Sequence, residues 1–416
     1  MKFYKLISKK QAWASLLLIA AVSFTIFSCS DDDTTVIATE GVEAESAWVA
    51  SFVQESPSGD IPYITVFETA PAEVTVTNSV ELGANTRVDF YGSNVYTMDE
   101  NAKTITKWDV NKSTLELEPE SILSYASTGM AGEYLPFVFL SDDQAFIINV
   151  NEGIILDWNP ASMEISEVID VQPNPLNSID PEADSGTWKA YVVNNKIIIP
   201  IEYSKRSCCE FINPEGATIG IYDPINKAIE YKYDNRLLSG KADFKEDTEG
   251  NYYHTPLVYN YWVSEYFNDN SLPRHTVLKI GSDGNYDSTS GIVLDDLLPL
   301  KVTREAVYVS GDNLILAYFN NDWEVPAWDD RYSVFSHVPK MVSINMNTLE
   351  VQPFTAFEGY TSVNQAGVID GIIYLWGFQS QSGVDNTKIL REDSFGNYTE
   401  ITSLKNGWFS SFGKLW

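Results

Sequence analysis

The residues with the most chemical potential gather in three long segments. They are "EYSKRSCCEFINPEGAT", "HTPLVYNYWVSEYFNDNSLPRH" and "NNDWEVPAWDDRYSVFSHVPK". Basic side chains are scarce in this chain, with 27 Lys and Arg against 58 Asp and Glu. Even so, Lys205, Arg206, Arg274, Arg331 and Lys340 fall in or beside these segments, as do all three histidines, His254, His275 and His337. Aromatic residues are interleaved with them. The second segment carries Tyr259, Tyr261, Trp262, Tyr266 and Phe267, and the third carries Trp323, Trp328, Tyr332 and Phe335. Guanidinium groups beside aromatic rings suit an anionic aromatic ligand, and an arginine that hydrogen-bonds such an anion contributes about 1.5–3 kcal/mol. The expected contacts are Arg206, Arg274 and Arg331, with Tyr261, Trp262 and Trp328 as stacking surfaces. The competing reading is that the aromatic residues pack over the fold as small local cores.

Other chemistries find less support. The histidines lack the spacing of a metal set, so neither a metal nor another cofactor is expected. "GSDGNYDS" alternates Asp283, Asn285 and Asp287 like a calcium loop but lacks the downstream bidentate Glu, which leaves a solvated turn. Gly-x-Ser-x-Gly, His-Glu-x-x-His, phosphate-loop and dinucleotide signatures are absent from the sequence. Cys208 and Cys209 are adjacent. Consecutive Cα atoms lie about 3.8 Å apart, below the usual disulfide range of about 4.4–6.8 Å, so a vicinal disulfide here is a strained ring. Two reduced thiols are the alternative. The net charge of −31 argues against nucleic acid and against anionic lipid as partners.

The elements that must position these segments are strands. Helical periodicity is nearly lacking, and short runs rich in Val, Ile, Tyr, Phe and Thr recur between Gly, Asn, Asp and Pro. One unit, a strand, a polar turn and a second strand, returns seven times. It reads "YITVFETAPAEVTV", "ITKWDVNKSTLELE", "ILDWNPASMEISEV", "IGIYDPINKAIEYK", "VLKIGSDGNYDSTS", "MVSINMNTLEVQPF" and "KILREDSFGNYTEI". A second hairpin unit, as in "DFYGSNVYTM" and "GVIDGIIYLWGF", precedes most copies. Two hairpins per period of about 50 residues give about four strands, the signature of a β-propeller blade. The expectation is an all-β chain with a propeller, most simply of seven blades, over residues 46–416, and six or eight blades remain open. "SAWVASFV" is expected to share a blade with the C-terminal "WFSSFGKLW". The three segments are then inserts following the apolar strand of the second hairpin unit, and loops of such length are functional when they are not disordered.

The N-terminus supplies an address. Lys2, Lys5, Lys9 and Lys10 precede an apolar run from Trp13 to Phe27, about the length of a signal-peptide core. "IFSC" resembles a bacterial lipobox in which Cys29 is lipidated and becomes the mature N-terminus, although Phe27 is bulkier than the pattern usually shows. "SDDD" resembles the acidic export tag of Bacteroidetes-type lipoproteins. Residues 1–28 are thus expected to be a lipoprotein signal peptide and 29–45 an acidic tether.

Lipobox, tag and irregular seven-fold repeat together resemble the propeller lipoproteins that accompany TonB-dependent receptors, among them those associated with siderophore-iron acquisition. The resemblance implies a surface protein, anchored in the outer membrane by its lipid, that captures a ferric siderophore for a TonB-dependent receptor, and the missing catalytic signatures argue against an enzyme. Two other readings stand beside it: a scaffold gripping proteins of an outer-membrane complex, and a polysaccharide-active enzyme. Propellers host all three.

Overall fold

The computed structural model describes residues 43–416 apart from 57–58, 132–134, 176–182, 187–188, 206–215, 239–242, 259–261, 263–271, 274 and 382–383. The expected signal peptide, Cys29 and nearly all of the tether lie outside the described residues.

Seven antiparallel sheets form a seven-bladed β-propeller. Blade 1 is built from both chain ends, with Gly407–Lys414 innermost, followed by Trp48–Gln54, Ile61–Phe67 and Val80–Glu81. The expected closure is present, with Trp48 paired to Lys414 and Gln54 to Gly407. Blades 2 and 3 begin with Thr86–Tyr91 and Phe137–Ser141. In blade 4, Ala183–Gly186 and Tyr191–Val193 pair with successive parts of Lys196–Lys205. Blades 5, 6 and 7 begin with Asp243–Glu246, Leu300–Ser310 and Ser362–Ile369.

Each blade is covered on both faces by its neighbours, so its strands read as nearly continuous apolar runs. Ile197, Ile199 and Ile201 face blade 3, joining Phe146, Ile148 and Ile155. Ile198, between them, faces blade 5 and joins Phe244 and Ile280. This is the strand alternation of side chains, with both sides apolar. The core is accordingly a ring of seven wedges, one between each pair of blades.

The repeated polar turn has one local cause. In blades 2, 3, 4 and 6 an Asn or Asp side chain accepts hydrogen bonds from the backbone two and three residues on. Asn111 Oδ1 takes Ser113 N and Thr114 N, Asn159 takes Ala161 and Ser162, Asp223 takes Ile225 and Asn226, and Asn345 takes Asn347 and Thr348. The next residue turns left-handed: Leu115, Met163, Lys227 and Leu349 have φ of 51–59°.

Two repeat copies fold differently from expectation. "AEVTV" of the first copy does not supply the outer strand of blade 1, which is Val80–Glu81. Glu73 instead bridges Ser403 in parallel, and Val74 N donates to Ser403 O at 2.7 Å. Those bonds cap the outer edge of blade 7, which would otherwise present unpaired backbone groups. In the fifth copy the outer strand is Ile292–Val293 rather than "NYDSTS". There Gly281 N donates to Asn285 O, and the intervening turn holds Tyr286 at an isolated bridge with Ile280.

Candidate ligand site on the insert-bearing face

The strands that precede the three inserts end on the same face. Each insert follows the second strand of its blade, after Lys205, Thr255 and Asn320 in blades 4, 5 and 6. Second strands run antiparallel to the innermost ones, so they end where the innermost strands begin. The three insert-bearing strands of consecutive blades thus end on one rim.

Arg206, Cys208, Cys209, Tyr261 and Arg274 lie outside the described residues. The structure brings Trp262, Trp328 and Arg331 together in one cluster. Residues 328–336 form a 3-10 segment. The Arg331 guanidinium sits 3.7 Å from the Trp328 ring centroid and 4.5 Å from that of Tyr332, and Nη1 donates to Trp328 O at 2.8 Å. Trp262 is a correction to its expected role as a stacking surface. It is 2% exposed and met edge-on by Trp328, Tyr332 and Phe335. With Val258, Val302, Phe319 and Val334 it forms a small core that fastens the second insert to the third. The physical reason is area: an indole left exposed forfeits the burial that here binds two loops. Trp328 and Arg331 remain half-buried and Tyr332 is exposed.

A further link, unforeseen from sequence, is Arg304. It is the extra residue of a bulge between Thr303 and Glu305 in the innermost strand of blade 6. It is 5% exposed, with Nη1 3.5 Å from Glu305 Oε2 and its guanidinium 4.2 Å from the Phe335 ring centroid. The bulge re-aims the side chain out of the ladder, so a cation from the inner ring of strands supports the insert.

The histidines are separate and internally partnered. His254 is fully buried, its Nδ1 2.9 Å from the Tyr286 hydroxyl, and desolvation lowers its pKa to about 3 against a smaller opposing effect of Asp234. His275 Nδ1 lies 2.9 Å from Asp295 Oδ1, and His337 Nδ1 lies 2.7 Å from Ser333 O. Among the described residues no group of three or more His, Cys, Asp or Glu is placed to hold a metal ion. Asp283 and Asp287 accept from the turn's own donors, Asn285 N at 3.0 Å and Thr289 N at 2.8 Å.

The ring axis holds a pocket of about 520 Å³, within the usual range for small-molecule sites. Its wall comes from the innermost strands of blades 1, 2, 3 and 7, from the entry to blade 4, and from Ser51, Glu100 and Trp376 on or just after the second strands of blades 1, 2 and 7. Asn85, Pro136 and Lys189 each precede an innermost strand, so the pocket reaches the insert-bearing face. Arg87 Nε pairs with Glu100 Oε1 at 3.1 Å, and that carboxylate also accepts from Leu135 N. Asp89 is half-buried, with Phe90 N donating to its Oδ1 at 2.9 Å. Desolvation pushes its pKa up to about 6, while the Phe90 hydrogen bond and the Lys189 charge pull it down. Trp376 and Phe137 supply aromatic surface. Two bulged residues, Ala366 and Ser410, also line the pocket. Sequence reasoning missed this site because the innermost strands carry no motif; a charged residue inside an otherwise apolar strand, as in "TRVDFY", is the signal it left.

The fold and this face define the protein as a seven-bladed β-propeller with an axial pocket and three inserts on one rim. Neither a protein-family model nor a curated protein matches the sequence. Among solved structures it is similar to the periplasmic gluconolactonase PpgL of Pseudomonas aeruginosa, at 12% identity and a TM-score of 0.51 over 89% of this chain and 98% of that one. Similarity also extends to apo AztD of Citrobacter koseri (10% identity, TM-score 0.38, 87% and 99% covered) and to Kuenenia stuttgartiensis hydrazine synthase (11%, 0.43, 73% and 74%). At such identities the likeness to PpgL shows the propeller fold alone.

Proposed function

We propose that this propeller is a ligand-binding lipoprotein of the outer-membrane surface, held there by a lipid on Cys29, and that it passes its ligand to a TonB-dependent receptor. The observation carrying the reading is that the strands leading into the inserts of blades 4, 5 and 6, each insert with an arginine beside aromatic residues, end on one face. An anionic aromatic chelate, a ferric catecholate siderophore in the sharpest form of the proposal, is the ligand class such a rim suits. Arg331 between Trp328 and Tyr332 supplies one cationic, aromatic contact, and Arg206 and Arg274 are proposed to supply others. The protein binds rather than catalyses in this reading.

The test is a titration of the soluble domain, followed by tryptophan fluorescence, with ferric and iron-free catecholate siderophores. Saturable quenching by the ferric form, weakened roughly 10- to 150-fold by Arg331→Ala, is expected if that arginine contributes about 1.5–3 kcal/mol. A protein whose fluorescence ignores every ferric siderophore while it co-purifies with an outer-membrane complex would instead be a scaffold.

A further inference from the structure

The axial pocket poses its own question, separate from the rim and the anionic ligand proposed for it. Its charges cancel: Arg87 and Lys189 are cations, Asp89 and Glu100 carboxylates. In a chain of net charge −31, such local balance favours neither an anion nor a cation. Arg87 and Glu100 are committed to each other at 3.1 Å. Asp89 is not so committed. Among the described residues its one hydrogen bond comes from Phe90 N to Oδ1, and it makes no ion pair within 4.0 Å. Asp89 lines the pocket, and among the described residues no donor reaches its Oδ2. An ionised carboxylate only accepts hydrogen bonds, and a half-buried one facing a pocket has room for a donor from a ligand.

The rest of the wall says what kind of donor fits. Ser51, Ser410 and Ser411 are hydrogen-bonded to one another and present hydroxyls. Asn85 adds an amide, and Phe137 and Trp376 add ring surface. A neutral ring with an apolar face and adjacent hydroxyls on its edge complements all of these at once.

We infer that the axial pocket is a binding site for a neutral pyranose sugar, with two vicinal hydroxyls of the sugar donating to the Asp89 carboxylate and its C–H face lying against the aromatic wall. The serine cluster and Asn85 receive the remaining hydroxyls. Catechol carries the same vicinal diol on a flat ring, so the diol alone does not identify the sugar, and the experiment must separate the two.

Donation to the carboxylate couples binding to the ionisation of Asp89, whose pKa is pushed up to about 6. A ligand that needs the charged form binds more tightly as pH rises through that value. The charged groups facing Asp89 are Arg87 and Glu100 of blade 2 and Lys189 at the entry to blade 4. Beyond Lys189 stands Glu246 of blade 5, whose pKa burial also raises and Lys189 lowers. Asp89→Asn separates the effect of Asp89 from that of Glu246.

Saturation-transfer NMR and calorimetry with glucose, galactose, mannose and xylose, beside catechol, test this on the soluble domain between pH 5 and 7.5. At least one pyranose should bind saturably, with affinity rising with pH in the wild type and independent of pH in Asp89→Asn. At pH 7.5 the substitution should weaken binding about tenfold or more, since a hydrogen bond to a charged group is worth about 1.5–3 kcal/mol. The wild-type pH profile needs no variant to fold. Binding of catechol but of no pyranose, a wild-type affinity independent of pH, or a pH profile retained in Asp89→Asn would each overturn the inference. None of these results bears on siderophore binding at the rim.

Discussion

Trp48 and Phe412 stack across the seam that joins the two ends of the chain, their ring centroids 5.4 Å apart and their planes 14° from parallel. Tyr374 of blade 7 packs on both, at 5.7 and 5.4 Å. The three rings tie blade 7 to blade 1 at the point where the ring closes. Phe412→Ala should therefore cost about 3–5 kcal/mol, the usual range for a buried Phe. Removing residues 407–416 should abolish cooperative unfolding, because it strips blade 1 of its innermost strand. Urea denaturation followed by tryptophan emission measures both; an Ala variant within about 1 kcal/mol of wild type contradicts the assigned role of the seam.

The rim cluster allows its two aromatic roles to be separated. Trp262 is enclosed, so Trp262→Ala should destabilise the domain by about 3–5 kcal/mol. Arg331 lies half-buried on Trp328, and its loss should cost only about 0.5–2 kcal/mol, as partly exposed cation–π contacts do. Thermal unfolding of the two variants gives the order. An equal loss in both would mean that Arg331 belongs to the small core as fully as Trp262.

How much of this was legible in the sequence depended on how far local chemistry decides local geometry. The blades were legible because Asn111, Asn159, Asp223 and Asn345 each build the same turn from their own side chain, between strands whose two faces are both apolar. The site was harder. Trp262 in an aromatic insert reads alike whether it meets a ligand or another loop, and only tertiary packing decides. Arg304, Ala366 and Ser410 sit at bulges, where alternation no longer fixes the direction of a side chain. Asp89 occupies a short strand whose inward face meets an axis rather than a core, and an axis has no sequence period. The outer end of blade 1 departed from the repeat because a bridge between distant residues, Glu73 with Ser403, took up its segment, and that of blade 5 because a short local bridge, Ile280 with Tyr286, did so.

His254 makes acid stability a test of the buried interior. Its pKa is lowered to about 3 in the folded protein, from 6.5, chiefly by desolvation. Between those values the unfolded chain binds a proton that the folded chain refuses, so stability rises with pH in this window and is lost as pH falls from about 6.5 towards 3. Above pH 6.5 the residue contributes no slope. His254→Gln should flatten the pH dependence of the urea midpoint between pH 4 and 6.5 while leaving the slope above pH 7 unchanged. Most carboxylates supply their own slope below about pH 5, and Asp89, its pKa pushed up to about 6, adds an opposite slope in both proteins, so the His254 contribution is the difference between variant and wild type between pH 5 and 6.5. An undiminished slope there would place the titration elsewhere.

The anchor proposed at Cys29 can be separated from every other route to a membrane. The chain's net charge of −31 opposes attraction to anionic lipid, where each basic residue near the surface would have contributed about 1 kcal/mol. No described helix is long and apolar enough to span a bilayer. Acyl chains gain about 0.8 kcal/mol for each buried CH₂, and one chain alone holds a protein only marginally, so firm attachment calls for more than one on the same cysteine. The full chain should therefore sediment with membranes, resist washing with high salt, and carry lipid mass on its N-terminal peptide. Cys29→Ala should leave it in the soluble fraction. Replacing Asp31, Asp32 and Asp33 with Ala should leave the lipid in place but remove the protein from the cell surface, read as protection from protease on intact cells. A Cys29→Ala protein that still sediments, beside a wild type without lipid mass, would end the anchor proposal.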